Sequence, residues 1–350
     1  MSRAILPPAT TDHDRGVLAA ARAGDQRAFE RLTAPLQREL HVHCYRMLGT
    51  VQDADDALQD TLLRAWRHLG RFQPRQPLRA WLYRIATNVC LSALARRTRR
   101  AEVSLQGFEA ARAPKRVEGD AVHLDPYPDR LLDLNHAPQQ GPEAVVERRE
   151  TVELAFVVAV QLLPARQRAV LLLRDVFGFP AAEVADLLGT SVAAVNSALQ
   201  RARSTCERER RAGRITRVHA PATATVERSL VRRFSAAWQA ADVSALVRLL
   251  AEDALLTMPP TPVRLVGREA IASFLRTGPG DGHLDRFRAV ETRANRQPAI
   301  ALYLEDPATG VHQAHAVLVL SIRGATVASV TRFGISELFY RFGLPQTLQP

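Results

Sequence analysis

The amino-acid sequence predicts a multidomain protein in which two all-α helical domains precede an α+β domain. Through residues 17–100 and 143–211, apolar residues recur at three- and four-residue steps, which is the period of amphipathic helices. Residues 101–142 lie between these stretches, are rich in Ala, Pro, Arg and Asp, and lack a long apolar period, as expected of a linker. Residues 226–345 begin with a helical pattern and continue as short apolar runs separated by turn residues, which predicts the α+β layout.

The composition limits the class of protein and its partners. The chain has 350 residues, of which 47% are hydrophobic, enough for a core in each domain. Its formal net charge of +11 indicates an acidic partner, either nucleic acid or an anionic membrane surface. No apolar run is long enough to cross a bilayer and residues 1–16 lack a signal-peptide pattern, so we expect a cytoplasmic protein without membrane attachment. Cys44, Cys90 and Cys206 are far apart and lack paired ligand spacing, so we expect no disulfide, metal or cofactor.

The helix predicted over VQDADDALQDTLLRAWRHLG has an acidic face although the protein is basic. Its apolar residues form one stripe, and Asp53, Asp56 and Asp60 line the other side at three- and four-residue spacing. Attraction to the positive end of the helix dipole explains Asp53 and Asp55. It does not explain Asp60, and the alternative is a carboxylate surface for a basic protein partner.

The next predicted helix combines arginine and aromatic residues on its polar side. Opposite the apolar stripe lie Arg79, Tyr83, Arg84, Thr87 and Asn88, and four arginines follow, Arg96, Arg97, Arg99 and Arg100. Guanidinium groups meet phosphates, and rings and amides meet unstacked bases, so this face suits single-stranded nucleic acid. Trp81 is instead expected in the core.

Residues 163–208 predict two short helices joined by a glycine turn. Pro180 begins the first helix and Gly189 ends it, while Ser191 caps a second helix that is apolar on one side. The polar side of the second helix has Asn196, Ser197, Gln200, Arg201 and Arg203. A helix-turn-helix that reads a DNA groove and an ordinary helix pair with a solvated outer face both fit this stretch on its own.

The sequence closely resembles the extracytoplasmic-function sigma factors of bacterial RNA polymerase in three motifs that keep the family's order. These are DADDALQDTLLRAW, RAWLYRIATNVCLSALARR and LPARQRAVLLLRDVFGFPAAEVADLLGTSVAAVNSALQRAR. The resemblance implies that residues 17–100 are sigma region two and that residues 143–211 are sigma region four. It implies that Asp56, Gln59 and Asp60 dock on the clamp of the largest polymerase subunit.

The same resemblance implies two promoter contacts. The loop from Phe72 to Leu78 and the following helix would melt and read the minus-ten element, although Ser92 stands where family members often have aspartate. The helix contacts expected are Arg79, Tyr83, Arg84, Thr87, Asn88, Arg96 and Arg97. The helix-turn-helix would read the minus-thirty-five element through Ser191, Asn196, Ser197, Arg201 and Arg203.

The last third of the chain predicts one strand over LLTMPP, a helix over RLVGREAIASFLRTG and four further strands. It resembles the SnoaL-like, ketosteroid-isomerase-like family of cone-shaped domains at AAWQAADVSALVRLLAEDALLTMPP, GREAIASFL and AHAVLVLSIRGATVASVTRF. The resemblance implies a pocket lined by Trp238, Met258, Phe274, His315 and Phe333. Some relatives are enzymes with a buried carboxylate or histidine, which makes Asp253 and His315 the candidates here. No second acid or base accompanies either residue in the sequence, so we expect no catalytic residue.

These observations leave three hypotheses. The first is a sigma factor, not an enzyme, that binds core RNA polymerase and promoter DNA and is modulated by its C-terminal domain through a small-molecule ligand or a protein regulator. The second is a bifunctional protein whose C-terminal domain is an isomerase- or hydrolase-like enzyme acting on a small apolar molecule. The third is a DNA-binding repressor that ignores polymerase. Within the linker, LDPYPDRLLD is expected to dock on a neighbouring domain through Tyr127, Leu131, Leu132 and Leu134.

Overall fold

The computed structural model describes residues 12–73, 77–106, 124–132, 153–212 and 222–349. These residues divide into two compact units. The first comprises Met1–Val117 and Val160–Glu207, and the second comprises Glu118–Ala159 and Arg208–Pro350. Leu134 of the predicted docking segment and Pro74 of the predicted minus-ten loop lie outside the described residues.

The N-terminal part of the first unit contains four helices. They are α1 (Asp12–Arg22), α2 (Gln26–Leu48), α3 (Val51–His68) and α4 (Leu78–Gln106). Asp25 caps α2 by accepting from the Arg27 N–H at 2.9 Å, and Gly49 ends it with a φ of 92°, a conformation that glycine adopts without strain. The Thr50 hydroxyl accepts from the Asp53 N–H at 3.2 Å and so caps α3.

Four further helices precede the C-terminal domain. They are α5 (Leu154–Gln161), α6 (Ala165–Leu171), which continues as a π-helical turn over Leu172–Val176, α7 (Ala181–Leu188) and α8 (Val192–Arg211). Gly189 ends α7 with a φ of 61°, and the Ser191 Oγ accepts from the Ala194 N–H at 3.1 Å at the start of α8. The helix-turn-helix predicted from the sequence is therefore present.

The second unit is built on a seven-stranded sheet with helices packed against it. Its helices are α9 (Ala224–Gln239), α10 (Val243–Leu249) and α11 (Arg268–Thr277), and its strands are β1 (Leu250–Met258), β2 (Thr261–Val266), β3 (Phe287–Ala294), β4 (Gln297–Glu305), β5 (His312–Arg323), β6 (Thr326–Phe333) and β7 (Thr347–Leu348). The strand order is β2-β1-β6-β5-β4-β3, and β7 pairs with β5. All of these pairs are antiparallel except β1 with β6.

The predicted fold class, helical domains followed by an α+β domain, is confirmed. Two strands were missed: β2, because the proline-rich segment from Pro259 to Pro262 obscures its pattern, and β7, because it is only two residues long. The structure places β2 at the edge of the sheet, where proline is tolerated because a missing N–H costs no ladder hydrogen bond.

Candidate functional sites

The exposed side of α3 combines acidic residues with one apolar residue. Asp56 and Gln59 are exposed, and Asp60 is half-buried and receives two hydrogen bonds from Arg64, at 2.9 and 2.8 Å. Leu63 lies one turn further along, and its exposed fraction is 55%. An exposed large apolar side chain beside carboxylates is typical of a protein-binding surface. Sequence analysis missed Leu63, although its spacing of seven residues from Asp56 places both on one face.

Two neighbouring aspartates of α3 instead bind within the first unit. Asp53 forms an ion pair with Arg97, which also donates to the Leu48 carbonyl at 3.1 Å. Asp55 lies 3.0 Å from the His41 ring nitrogen Nε2. The acidic residues of α3 therefore divide into an internal set and the exposed set that contains Asp56.

A basic and polar stripe of α4 is exposed. Arg84, Asn88 and Arg96 are all exposed and follow one another at four- and eight-residue steps, which keeps them on one side of the helix. The Ser92 hydroxyl lies between them and donates to the Asn88 carbonyl at 2.8 Å. These side chains are accessible to a nucleic-acid strand.

Two predicted DNA contacts on α4, Tyr83 and Thr87, are not accessible to DNA in this state, because both side chains are fully buried. The Thr87 hydroxyl lies 2.9 Å from the His43 Nε2, and the Tyr83 ring lies 4.7 Å from the Phe177 ring and 5.3 Å from the Phe179 ring, centroid to centroid. Burial raises the pKa of Tyr83 well above its usual value. The segment after α6 covers this stripe of the helix, which its own periodicity does not reveal.

Arg79 is also engaged inside the first unit. Its Nε donates to a Glu39 carboxylate oxygen at 2.9 Å, and its guanidinium carbon lies 5.0 Å from the centre of the Tyr83 ring and 5.1 Å from that of Phe179. Cation–π contacts of this kind hold an arginine against aromatic rings. Arg79 and Arg97 therefore have internal partners, whereas Arg84 and Arg96 have none among the residues that the structure describes.

A buried arginine strengthens the contact between the two helical regions of the first unit. Arg168 in α6 donates to the Met47 carbonyl near the end of α2, and also to the carbonyls of Gln161, at 2.8 Å, and Leu163, at 3.2 Å. Burial, together with the charge of Arg97, lowers the pKa of Arg168 to about 10. Backbone carbonyls at a helix C-terminus carry partial negative charge and so stabilise the guanidinium.

The recognition side of α8 is exposed at most of the predicted positions. Ser191, Asn196, Ser197 and Arg201 are exposed. Arg203 is exposed too, but it makes two hydrogen bonds with Asp175, at 2.9 and 2.7 Å. Val192, the first residue of α8, has an exposed fraction of 44%.

The second unit encloses a cavity of about 270 Å³ between its helices and the concave arrangement of its strands. Trp238, Met258, Phe274 and His315 line it, as predicted. The fifth predicted residue, Phe333, does not line the cavity, because Arg332 does, and adjacent residues of a strand point to opposite faces.

The cavity has one polar corner. The Arg332 Nη2 lies 2.9 Å from the His315 Nε2, and burial, followed by the charge of Arg332, lowers the pKa of His315 to about 4. His315 is therefore neutral at pH 7 and accepts a hydrogen bond from the guanidinium. Asp253, the other predicted catalytic candidate, does not line the cavity and instead pairs with Arg323, whose Nη1 donates to its carboxylate at 3.1 Å.

The turn between β3 and β4 binds part of the chain that links the two helical regions. Asn295 and Arg296 have φ angles of 55° and 62°, as in a tight hairpin turn. The Asn295 Oδ1 accepts from the Tyr127 N–H at 2.8 Å, and the Asn295 N–H donates to the Tyr127 carbonyl at 2.8 Å. Asp129 accepts from the Arg296 N–H at 2.7 Å and from the Arg293 Nε at 3.3 Å. Tyr127 is only 1% exposed, so this segment docks on the C-terminal domain.

A second point on the same chain is bound close by. Gln297, at the start of β4, accepts from the Leu154 N–H at 2.9 Å and donates to the Ser321 hydroxyl at 2.8 Å. We call the four residues Arg293, Asn295, Arg296 and Gln297 the linker cradle. Sequence analysis predicted the docking of Tyr127 but identified no residue of the cradle.

The described part of the chain has no helix long and apolar enough to span a membrane. A helix-turn-helix with an exposed polar side, a second basic helix and a helix with an acidic and apolar face together define a DNA-binding transcription factor with an added cavity domain. Family models agree with this class: Sigma-70 region 2 matches residues 32–100, Sigma-70 region 4 matches residues 153–206 and the SnoaL-like domain matches residues 231–329.

Similar proteins identify the family. The ECF RNA polymerase sigma factor SigG of Mycobacterium tuberculosis is 42% identical over 334 residues, which cover 93% of this chain and 86% of that protein. SigM of the same species is 33% identical over 193 residues, 55% of this chain and 81% of that protein. The crystal structure of M. tuberculosis SigJ shares the fold, with a TM-score of 0.56 and 22% identity over 87% of this chain and 96% of that one. The chain belongs to the extracytoplasmic-function sigma factors, which bind core RNA polymerase and promoter DNA to initiate transcription.

Proposed function

We propose that the exposed face of α3 is the polymerase-binding surface of this sigma factor and docks on the clamp of the largest subunit. Asp56 and Gln59 extend into solvent, and Asp60 is held in position by Arg64, while Asp53 and Asp55 are bound internally. Leu63 adds apolar area that becomes buried on docking. The single observation that supports this surface is the exposure of Leu63 beside these carboxylates.

The promoter contacts follow from which basic residues are accessible. In α4, Arg84, Asn88 and Arg96 read or hold the minus-ten strand. In α8, the four exposed positions enter the groove at the minus-thirty-five element, and they are Ser191, Asn196, Ser197 and Arg201. Arg203 and Arg97 support the protein scaffold instead, because each already binds an aspartate.

The described first unit corresponds to a closed state. The two promoter elements lie about 25 base pairs apart, roughly 85 Å at 3.4 Å per base pair. The Tyr83 and Phe177 rings of the two helical regions lie 4.7 Å apart, so one molecule cannot occupy both elements until this contact separates. Polymerase binding and promoter binding then supply the free energy of opening, since both favour the separated state.

The C-terminal domain controls this opening through the linker cradle. Tyr127 and Leu154 are 27 residues apart in the chain, and extended chain of that length spans about 90 Å. Holding both residues on the β3–β4 turn removes nearly all of that reach. The lost reach is close to the spacing of the promoter elements, so release of the cradle lengthens the connection enough for the two helical regions to separate.

Transcription from a cognate promoter with core polymerase tests the control. A variant with Arg293→Ala and Gln297→Ala removes cradle contacts to Asp129 and Leu154. We expect it to give more open complex than the unaltered protein at equal concentration. A matched control, Arg323→Ala, removes an exposed ion pair to Asp253 in the same domain and is expected to change nothing. Equal open-complex yields for all three proteins would refute control through the cradle.

Catalysis in the cavity is the competing function. It requires a base beside a bound substrate, and Asp253 pairs with Arg323 outside the cavity, which leaves His315. His315 accepts its hydrogen bond from Arg332, an arrangement that suits binding as well as it suits proton transfer. A substrate screen comparing the unaltered protein with His315→Gln distinguishes the two, because turnover that disappears in the variant would favour an enzyme.

A further inference from the structure

The cavity of the second unit has walls suited to an apolar ligand. Most of its lining is aliphatic or aromatic, and Phe234, Leu256 and Leu318 are typical members. The cavity reaches the surface beside Phe274 and Gly278, which line it and are partly or fully exposed. Its volume of about 270 Å³ is slightly below the roughly 300–1,000 Å³ of common ligand sites, so the ligand is small.

A single cation lies among these apolar walls. Among the described residues, the Arg332 guanidinium has His315 as its hydrogen-bond partner and has no carboxylate counter-ion. A guanidinium has five N–H donors, and His315 uses one of them. Burial lowers the pKa of Arg332, because a charged guanidinium without an anion is unfavourable in an apolar site.

Trp238 contributes an aromatic wall to the same cavity. Trp238 is 4% exposed and lines the cavity, and its indole Nε1 has no hydrogen-bond partner within the described part of the chain. The Trp238 ring lies 6.1 Å from the Phe287 ring, which in turn lies 5.5 Å from the His315 ring, so the three side chains form one continuous wall.

These contacts define the chemistry of the ligand. We propose that the cavity binds a small apolar carboxylic acid, with the carboxylate on the Arg332 guanidinium and the apolar body between Trp238, Phe287 and the aliphatic walls. A carboxylate matches the planar fork of arginine and carries one negative charge, which one cation neutralises. A phosphate dianion would leave a negative charge unpaired in an apolar site.

This inference names the ligand of the proposed control domain, so its physiological meaning rests on that proposal, but binding does not. Isothermal titration calorimetry of the full chain measures binding without polymerase or DNA. The probes are two pairs matched in shape, naphthalene-1-acetate with naphthalene-1-acetamide and octanoate with octanamide. A failure of transcriptional control would therefore leave the binding result intact, and the reverse also holds.

We expect the acid to bind at least tenfold more tightly than its amide in one or both pairs. Arg332→Gln should abolish this preference while keeping amide binding, and Arg332→Lys should retain part of it because the charge remains. Trp238→Phe, which keeps an aromatic ring in the cavity wall, should leave the preference for the acid in place. Arg323→Gln, which removes an exposed arginine outside the cavity, should leave all affinities unchanged.

Three outcomes would overturn the proposal. They are equal affinity for acid and amide in both pairs, retention of the acid preference by Arg332→Gln, and no binding of either acid at millimolar concentration. Thermal unfolding of each variant distinguishes a lost contact from a lost fold, and the behaviour of Arg332→Lys decides the matter if Arg332→Gln fails to fold.

Discussion

Replacing Asn295 with glycine tests the linker cradle at the side chain that binds Tyr127. Glycine adopts the positive φ of this position without strain, and the backbone N–H that binds the Tyr127 carbonyl remains. The Oδ1 acceptor for the Tyr127 N–H is lost. Because this N–H is buried and would be left without that acceptor, the docked state should lose about 1–3 kcal/mol of stability. This loss corresponds to roughly a 5- to 150-fold shift of the equilibrium toward release.

Hydrogen exchange measures this release directly. We expect the Tyr127 amide to exchange faster by the same factor in Asn295→Gly, and promoter open-complex formation with core polymerase to rise with it. Asp306→Gly is the matched control, because it removes a side-chain hydrogen bond to the Ala308 N–H in another turn of the same sheet. The reasoning fails if Tyr127 protection is unchanged, or if protection falls and transcription does not respond.

Three further predictions concern the first unit. Asp56→Arg combined with Asp60→Arg should reduce core-polymerase retention in a pull-down at least tenfold, because two charges of the docking face reverse. Glu252→Arg changes an exposed residue elsewhere and should not reduce retention. Full retention by the double variant would contradict the docking surface. Arg201→Ala should cost about 1–3 kcal/mol of binding free energy at the cognate minus-thirty-five element and less at altered sequences, as measured by binding titrations. Equal losses on all sequences would indicate that Arg201 contacts phosphate and not a base. Burial and nearby arginines lower the pKa of His43 to about 3, so its protonation opposes folding, and urea-unfolding stability should fall as pH decreases from about 6.5 toward 3. His43→Gln should flatten that dependence, and an unchanged slope would exclude His43 as its source.

Local spacing predicted the accessible faces of the helices better than it predicted their buried contacts. The positions of Asp56, Asn88 and Ser191 on exposed sides follow from the three- and four-residue period of apolar residues. Tyr83 and Thr87 share that polar side of α4 by spacing, yet both are buried. The Tyr83 ring contacts Phe177 and Phe179, more than 90 residues later in the chain, and the Thr87 hydroxyl contacts His43, 44 residues earlier, so no local period contains these contacts.

The sequence by itself determined the order of the helical regions and the α+β domain, the capped starts of α2 and α8, and the aromatic residues available to line a cavity. These properties depend on residues within one or two turns of each other, or on matched motifs. Tertiary structure alone decided that Arg332 rather than Phe333 faces the cavity, because strand register sets which alternate residues point inward. It also decided that Asn295 binds Tyr127, 168 residues away, since a hydrogen bond between distant segments exists only once the sheet has formed.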